Sequence, residues 1–192
     1  MTSKLRRTCW WGMGLLVAVG CGGGRIDWNA PENFVLREES TRRDDGMELQ
    51  YWSLIDVPCQ PVYDALADVE HYPDFVDGVD RVQIVSVGEG TKTVQIAQRV
   101  IGRQMSAKVV WTFHPAERRV EFKTLHSDLS FNDGSYEATA SPDGKRCLVH
   151  STFLVKEGPQ APPVGVLATG TREAFLAAAR GVKQRAASAP RS

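Results

Sequence analysis

Four histidines are the side chains best suited to metal binding or acid–base chemistry, and they fall on four separate segments of the chain. His71, His114, His126 and His150 form no H-x-x-x-H or H-E-x-x-H spacing, and the four cysteines form no C-x-x-C pair. Zinc sites and many metalloenzymes are built on such spacings. No G-x-S-x-G or G-x-x-x-x-G-K pattern occurs either. The sequence therefore predicts no metal site and no cofactor, and it carries no signature of catalysis.

Three polar side chains remain as candidates for contact with a small molecule, because each falls on the apolar face of a predicted strand. Side chains alternate between the two faces of a strand. By that rule Gln98 shares a face with Ile96, and His126 and Tyr136 lie on apolar faces of later strands. His126 and Tyr136 are the two titratable groups that could serve an acid–base reaction, with Arg99 a weaker third.

Seven strands are predicted, and the last six are consecutive. Each run is rich in Val, Thr, Phe and Tyr and is bounded by Gly, Pro, Asn or Asp. Short turns between sequential strands favour an antiparallel meander. The predicted strands are Glu48–Val57, Val79–Val87, Thr91–Ile101, Gln104–Phe113, Arg118–His126, Ser135–Ala140 and Arg146–Lys156.

Helical periodicity appears after the first strand and again at the end of the chain. Pro61 and the apolar spacing from Val62 to Val69 predict a short helix, and Pro73 ends it and opens a second one. The segment Pro162–Ala187 changes to a helical period and predicts a long amphipathic helix. Its apolar face consists of Leu167, Thr171, Phe175, Ala178 and Val182.

This order of elements resembles the START-like, or helix-grip, superfamily, and is most similar to its polyketide cyclase and coenzyme Q-binding group. The matching motifs are Val57-Pro58, the helix Val62–Val69, Tyr72-Pro73-Asp74-Phe75, Trp111-Thr112-Phe113 and the turn Pro142-Asp143-Gly144. They extend over residues 47–186. One departure is Gly134-Ser135-Tyr136-Glu137-Ala138, where coenzyme Q-binding members often carry Gly-x-Trp-x-Phe. The resemblance implies an α+β fold with a seven-stranded curved antiparallel sheet, two short helices after the first strand and a long C-terminal helix.

The same resemblance implies a cavity between the sheet and the C-terminal helix. Concave, mostly apolar clefts of this kind bind small molecules. The alternative is that the large aromatic side chains simply fill the core. The candidate cavity residues are Tyr72, Phe75, Val94, Ile96, Gln98, Trp111, Phe113, Phe122, His126, Tyr136 and Phe175.

The first 21 residues resemble a bacterial lipoprotein signal. Lys4, Arg6 and Arg7 precede a short apolar core, Trp10–Val19, and Ala18-Val19-Gly20-Cys21 resembles a lipoprotein cleavage box. The resemblance implies a signal peptide at residues 1–20, lipidation of Cys21, and an outer-membrane anchor that faces the periplasm. An ordinary signal peptide or an uncleaved anchor is the alternative. Residues 21–46 are then a lipidated tether, 47–187 the ligand-binding domain and 188–192 a disordered tail.

Charge and cysteine content narrow the classes of partner. Removal of three basic residues with the signal leaves 20 basic residues against 23 acidic ones, which disfavours nucleic-acid binding. In the helix-grip fold the first and last strands are antiparallel neighbours, so the resemblance brings Cys59 near Cys147. A disulfide between them is one interpretation in an oxidising compartment, and two separate buried thiols are the other.

Three functions stay open at this point. The first is non-catalytic carriage of a hydrophobic small molecule, such as a lipid, a quinone or a polyketide-like compound, at the cell envelope. The second is a cyclase- or dehydratase-like enzyme that uses His126 and Tyr136. The third is an envelope protein with a collapsed cavity that acts through contacts with an unknown protein partner.

Overall fold

A curved eight-stranded antiparallel sheet grips a long C-terminal helix in the computed structural model, which describes residues 26–100, 102–127, 129–158 and 161–189. The strands are β1 (Asn33–Arg43), β2 (Gly46–Ile55), β3 (Val79–Gly88), β4 (Thr91–Val100), β5 (Arg103–His114), β6 (Arg119–Ser127), β7 (Ser130–Ala140) and β8 (Cys147–Glu157). The helices are α1 (Cys59–Ala67), α2 (Tyr72–Phe75) and α3 (Val164–Ser188), with a 3-10 turn at Val69–His71. The strand order across the sheet is β1-β2-β8-β7-β6-β5-β4-β3.

The expected α+β helix-grip arrangement is confirmed, but the described residues contain eight strands rather than seven. The additional strand is β1, which lies in the segment expected to be a flexible tether. It pairs only with β2, from Asn33 opposite Leu54 to Arg43 opposite Gly46. As an edge strand it has no deeply buried face, so its sequence lacks the apolar alternation that marks the other strands.

The bent helical pair after β2 follows from two prolines. Pro61 lies in the first turn of α1, and Pro73 lies in the first turn of α2. Proline is tolerated there because those backbone N–H groups have no partner inside a helix. The hydroxyl of Tyr72 donates to the carbonyl oxygen of Leu66 at 2.7 Å, which fixes α2 against the end of α1.

The long helix α3 closes the concave face of the sheet. The predicted apolar face is confirmed for Leu167, Thr171, Phe175 and Val182, all of which are buried. Gly181 allows α3 to approach α2 closely, because a Cβ at this position would collide with the carbonyl oxygen of Phe75.

A disulfide joins Cys59 to Cys147, whose Cα atoms are 4.8 Å apart. It links the start of α1 to the start of β8. Both residues are buried, and Cys147 pairs with Ile55 across β2 and β8. The pairing of these strands therefore brings together two cysteines that are 88 positions apart in the sequence.

The predicted signal peptide and Cys21 lie outside the described residues. In the part of the chain that the structure describes, no helix is both long enough and apolar enough to cross a bilayer.

Candidate functional site: a cavity between sheet and helix

A cavity of about 130 Å³ lies between the concave face of the sheet and α3. Strands β3 to β8 and helices α2 and α3 all contribute side chains to its wall. The predicted residues that line it are Tyr72, Ile96, Gln98, Trp111, Phe122, Tyr136 and Phe175.

His126 was expected in the cavity, but the structure places it on the outer face of β6. Val109 pairs with Thr124 and Lys108 pairs with His126, so β6 contains one additional residue at this point. Such a β-bulge turns the following side chain to the opposite face. His126 is exposed, and Ser127 takes the inward position opposite Ala107.

Three further predicted residues do not line the cavity. Val94 is completely buried in the packed core. Phe113 is half-buried near the end of β5, and the ammonium of Lys92 is 6.0 Å from its ring centroid. Phe75 packs edge-on against Tyr72 at 5.5 Å, and its other side carries the guanidinium of Arg185.

The structure adds residues that sequence reasoning did not select. Met105, Ala107 and Val109 share a strand face with Trp111, so alternation could have identified them. Asn132 could not be found in this way, because Asn132-Asp133-Gly134 has the composition of a turn. The main additions to the cavity wall are Met105, Ala107, Val109, Thr124, Ser130, Asn132, Phe153 and Thr171.

Aromatic rings form one continuous wall of the cavity. The ring of Trp111 lies 5.3 Å from that of Phe122, which lies 5.3 Å from Tyr136. Phe153 continues the series, at 5.9 Å from Tyr136. Gly134 stands between Phe153 and Phe122 in the sheet, and a Cβ there would approach the ring of Phe122 to 2.9 Å. The glycine therefore leaves room for the ring of Phe122 and for the backbone of Thr152.

The polar groups of the cavity cluster where β6 and β7 separate. The regular pairing of these strands ends at Phe122 and Gly134. Beyond that point the side chain of Thr124 replaces the backbone pairing between the strands. Its hydroxyl donates to the carbonyl oxygen of Asn132 at 2.9 Å. The backbone N–H of Thr124 donates to the carboxylate of Asp133 at 2.9 Å.

Two polar atoms of cavity-lining residues are buried and have no hydrogen-bond partner among the described residues. They are the indole Nε1 of Trp111 and the amide Oδ1 of Asn132. Burial without a partner is costly for a polar atom.

Burial also determines the protonation state of the two tyrosines that border the cavity. It raises the pKa of the Tyr72 phenol well above its ordinary value, and it raises the pKa of the Tyr136 phenol as well. Both hydroxyls are therefore neutral at physiological pH, and neither acts there as a ready proton acceptor.

The mouth of the cavity is polar. Asp77 and Arg99 are exposed and line the opening, and Arg99 forms an ion pair with Asp80 at 3.0 Å.

A second, smaller space of about 20 Å³ lies between α1, α3 and strands β2, β7 and β8. It has room for a single water molecule. Ser151 lines it, and the buried hydroxyl of Ser151 has no hydrogen-bond partner among the described residues.

Within the described ranges, no group of three or more His, Cys, Asp or Glu side chains is placed to hold a metal ion. The wall of the cavity presents apolar surface and a few neutral hydrogen-bonding groups. This arrangement can bind a small molecule by apolar burial and orient it with one or two hydrogen bonds.

The chain belongs to the family described as polyketide cyclase / dehydrase and lipid transport, whose model matches residues 55–180. No curated protein matches the chain in sequence.

Solved structures share the fold at low identity. The Zhui aromatase/cyclase from Streptomyces sp. R1128 is similar with a TM-score of 0.65 and 20% identity, over 73% of this chain and 93% of that one. The protein TTHA0849 from Thermus thermophilus is similar with a TM-score of 0.61 and 17% identity, over 74% and 99% of the two chains. A START superfamily protein from Mycobacterium smegmatis has a TM-score of 0.61 and 15% identity, over 71% and 97%.

Proposed function

We propose that this protein binds a small hydrophobic molecule, without transforming it, in the cavity between the sheet and α3. The observation that carries the proposal is the cavity itself, which is about 130 Å³ in volume and walled by aromatic rings. A well-packed interior has few voids larger than a water molecule. A space of this size at the centre of the fold therefore favours a binding role over a purely structural one.

The size of the cavity limits the ligand. Pockets for drug-sized ligands measure roughly 300–1,000 Å³, so a cavity of about 130 Å³ is small by comparison. A complete quinone with its tail, a long-chain lipid or a polyketide of several rings would not fit without displacement of α3. The geometry favours a compact ligand or one compact end of a larger molecule.

A non-catalytic role fits the titratable groups better than cyclase chemistry does. The similar Zhui protein is named an aromatase/cyclase. In this chain, however, the titratable residues that line the cavity are Tyr72, Asp77, Arg99 and Tyr136. Both tyrosines have raised pKa values, and Asp77 and Arg99 stand exposed at the mouth. No buried acid–base pair faces the cavity among the described residues.

We also propose that the domain is held at the cell envelope by a lipid on Cys21. The signal-like sequence of residues 1–21 supports this location, and so does the Cys59–Cys147 disulfide, because disulfides persist in oxidising compartments. The anchor would be short. Arg146 donates to the carbonyl oxygens of Trp28 and Ala30 at 2.7 and 2.6 Å. The seven residue-to-residue steps from Cys21 to Trp28 span at most about 25 Å.

The direct test is to express the full chain in a Gram-negative host, purify it without denaturation and analyse an organic extract by mass spectrometry. We expect one small apolar compound at near-stoichiometric amount. Ala174 lines the cavity from α3, so Ala174→Leu would fill part of the space and remove the compound from the extract. Ala177 lies on the same helix away from the cavity, and Ala177→Leu is the matched control that keeps the compound.

Empty extracts from well-folded protein, repeated with small aromatic compounds added to the growth medium, would contradict a binding role. Loss of the compound from both alanine variants would also count against this cavity as the site. Location is tested separately by labelling with radioactive palmitate, which should mark the wild-type chain and leave Cys21→Ser unlabelled.

A further inference from the structure

One hydroxyl on the cavity side of α3 lacks the hydrogen bond that a helical threonine commonly makes. A threonine inside a helix can donate its hydroxyl proton to the carbonyl oxygen four residues earlier, and Thr169 donates to Gly165 in this way at 3.2 Å. Thr171 lies on the same helix, is 5% exposed and lines the cavity. Its hydroxyl has no hydrogen-bond partner among the described residues. The proton of this hydroxyl is therefore free at the cavity wall.

The hydroxyl of Thr171 borders space that a small molecule can enter. The unpartnered side-chain atoms that are closed to water include the indole Nε1 of Trp111 and the amide Oδ1 of Asn132, but they do not include the hydroxyl of Thr171. This hydroxyl is therefore open to water although its residue is buried. Since Thr171 lines the cavity and does not line the smaller space, the open side of its hydroxyl faces the cavity.

The other polar side chains of the wall depend less on a ligand for a partner. The hydroxyls of Thr124 and Ser130 already make contacts within the protein. The hydroxyl of Tyr136 has no partner among the described residues, but Tyr136 also lines the smaller space, where a water molecule can bind. The amide NH₂ groups of Gln98 and Asn132 are free as well, and both side chains are only half-buried.

The free groups of the wall are mainly hydrogen-bond donors. The two hydroxyls and the two amide NH₂ groups all have protons to donate. Only the amide oxygen of Gln98 is a free group that accepts without donating, because the amide oxygen of Asn132 is closed to water. A ligand with an oxygen acceptor therefore fits this wall better than a ligand without one.

The charged groups of the wall favour an uncharged ligand. Asp77 and Arg99 are the charged residues that line the cavity, and both are exposed at its mouth. Arg99 already forms an ion pair with Asp80 at 3.0 Å. Burial of an ionised group without a partner is costly. The interior of the cavity is therefore suited to a neutral oxygen and not to a carboxylate.

We propose that the cavity selects a small uncharged molecule with a carbonyl-type oxygen, and that the hydroxyl of Thr171 donates a hydrogen bond to this oxygen. The apolar remainder of the ligand packs against the aromatic wall. A cavity of about 150 Å³ in another protein holds one benzene molecule, and this one, at about 130 Å³, is of similar size. The ligand class is therefore that of a ketone or aldehyde with one small ring or branched chain. The inference rests on the proposed binding function.

Cyclopentanone and methylenecyclopentane test the inference, because they have nearly the same shape and differ only in an oxygen atom or a CH₂ group. Headspace gas chromatography over solutions of the full chain measures the affinity for both volatile compounds. Thr171→Val keeps the shape of the side chain and removes the hydroxyl. We expect it to weaken cyclopentanone binding about five-fold, the effect of one net hydrogen bond, without weakening methylenecyclopentane binding. Thr169→Val, at an exposed position of the same helix, is the matched control that leaves both affinities unchanged.

A charged compound of similar size tests the second part of the inference. Isothermal titration of the full chain with cyclopropanecarboxylate at neutral pH should show no binding under conditions in which cyclopentanone binds. Binding of the carboxylate as tight as that of the ketone would overturn the selection of an uncharged ligand.

The outcomes separate this inference from the proposed function. If Thr171→Val changes the affinities for the ketone and the alkene equally, the role of Thr171 is overturned and a hydrophobic site stays in place. If neither compound binds, an uncharged carbonyl compound that is extracted from the native protein and lost from Thr171→Val supports the inference, and any other extracted compound overturns it. No binding together with empty extracts would overturn both proposals. Thermal melts of each variant identify any loss of binding that comes from misfolding.

Discussion

The concave face of the sheet has a closed half and an open half, and they are built from the same kind of apolar strand. The closed half consists of β2, the first part of β8, α1 and the disulfide. There Tyr51 is fully buried and its ring stacks on Phe175 at 4.4 Å. The open half consists of β4, β5, β6 and the first part of β7. There Trp111 of β5 and Phe122 of β6 face the cavity and not a side chain of α3.

This difference shows that the alternation of apolar residues along a strand does not by itself distinguish a core position from a position in a binding site. Where α3 packs on β2, the inward side chains interlock with it, as Tyr51 does with Phe175. Where the sheet curves away, similar side chains border the cavity. Stability is therefore expected to depend mainly on the closed half and binding on the open half.

The largest expected effect comes from removal of the disulfide in the closed half. The double variant Cys59→Ala, Cys147→Ala should lose about 4–5 kcal/mol in the free energy of unfolding, because the bridge closes a loop of 88 residues. Denaturant titration measures it. The reduced wild type should behave like the double variant, and the double variant should not respond to reductant. An unfolding curve unchanged by reductant would contradict the assigned bridge.

A matched pair of isoleucines compares the two halves directly. Ile55 on β2 is 1% exposed, and Ile96 on β4 borders the larger cavity. Ile55→Ala should cost about 3–5 kcal/mol, since Ile55 is buried and borders only the smaller space of about 20 Å³. Ile96→Ala should cost about 1–2 kcal/mol less, because part of its surface faces the cavity and not packed side chains. Equal costs would mean that the open half is packed as tightly as the closed half.

The exposed Val87 supplies the baseline for those measurements. Val87→Ala should change the free energy of unfolding by less than about 0.5 kcal/mol, because the side chain is 68% exposed.

Two buried tyrosines should respond differently to loss of the hydroxyl. Tyr72→Phe removes the bond to the carbonyl oxygen of Leu66 and should cost about 1–3 kcal/mol. Tyr51→Phe should be neutral or slightly stabilising, because the hydroxyl of Tyr51 is buried without a partner among the described residues. Thermal melts of both variants against the wild type test this order. A larger loss for Tyr51→Phe would show that its hydroxyl is satisfied, for instance by an internal water.

The smallest expected effects concern two histidines that lie outside the cavity lining. The hydrogen bond from His71 to Asp68 at 2.5 Å raises the pKa of His71, and burial lowers the pKa of His150 on β8. The stabilising contribution of His71 is therefore complete below about pH 6.5 and is lost as the pH rises through its raised pKa. For His150 the contribution is present above about pH 6.5 and is lost as the pH falls through its lowered pKa.

Nuclear magnetic resonance titration of the histidine ring protons should show His150 titrating at lower pH than His71. Asp68→Asn should bring the midpoint of His71 back towards its ordinary value and leave that of His150 unchanged. The reverse order of the two midpoints would contradict the assigned contacts.

The sequence by itself determined the elements whose signals are local. Proline positions fixed the bent helical pair, and a change from a two-residue to a helical period fixed α3. Alternation placed Ile96, Gln98, Trp111, Phe122 and Tyr136 on the inward face, and the structure puts all five at the cavity. These inferences hold because each depends on the chemistry of neighbouring residues along the chain.

Only the tertiary structure decided what depends on pairing between distant segments. The bulge in β6 turned His126 outwards, and it arises from the register with β5. Asn132 is of a residue type common in turns, yet it lies in β7, because it pairs with Val155 of β8 and Thr124 satisfies its backbone on the other side. β1 belongs to the sheet because it pairs with the edge of β2 that β8 leaves free. Whether an inward side chain contacts α3 or faces the cavity depends on the curvature of the sheet. That curvature is a property of the whole sheet and cannot be found from the sequence of one strand.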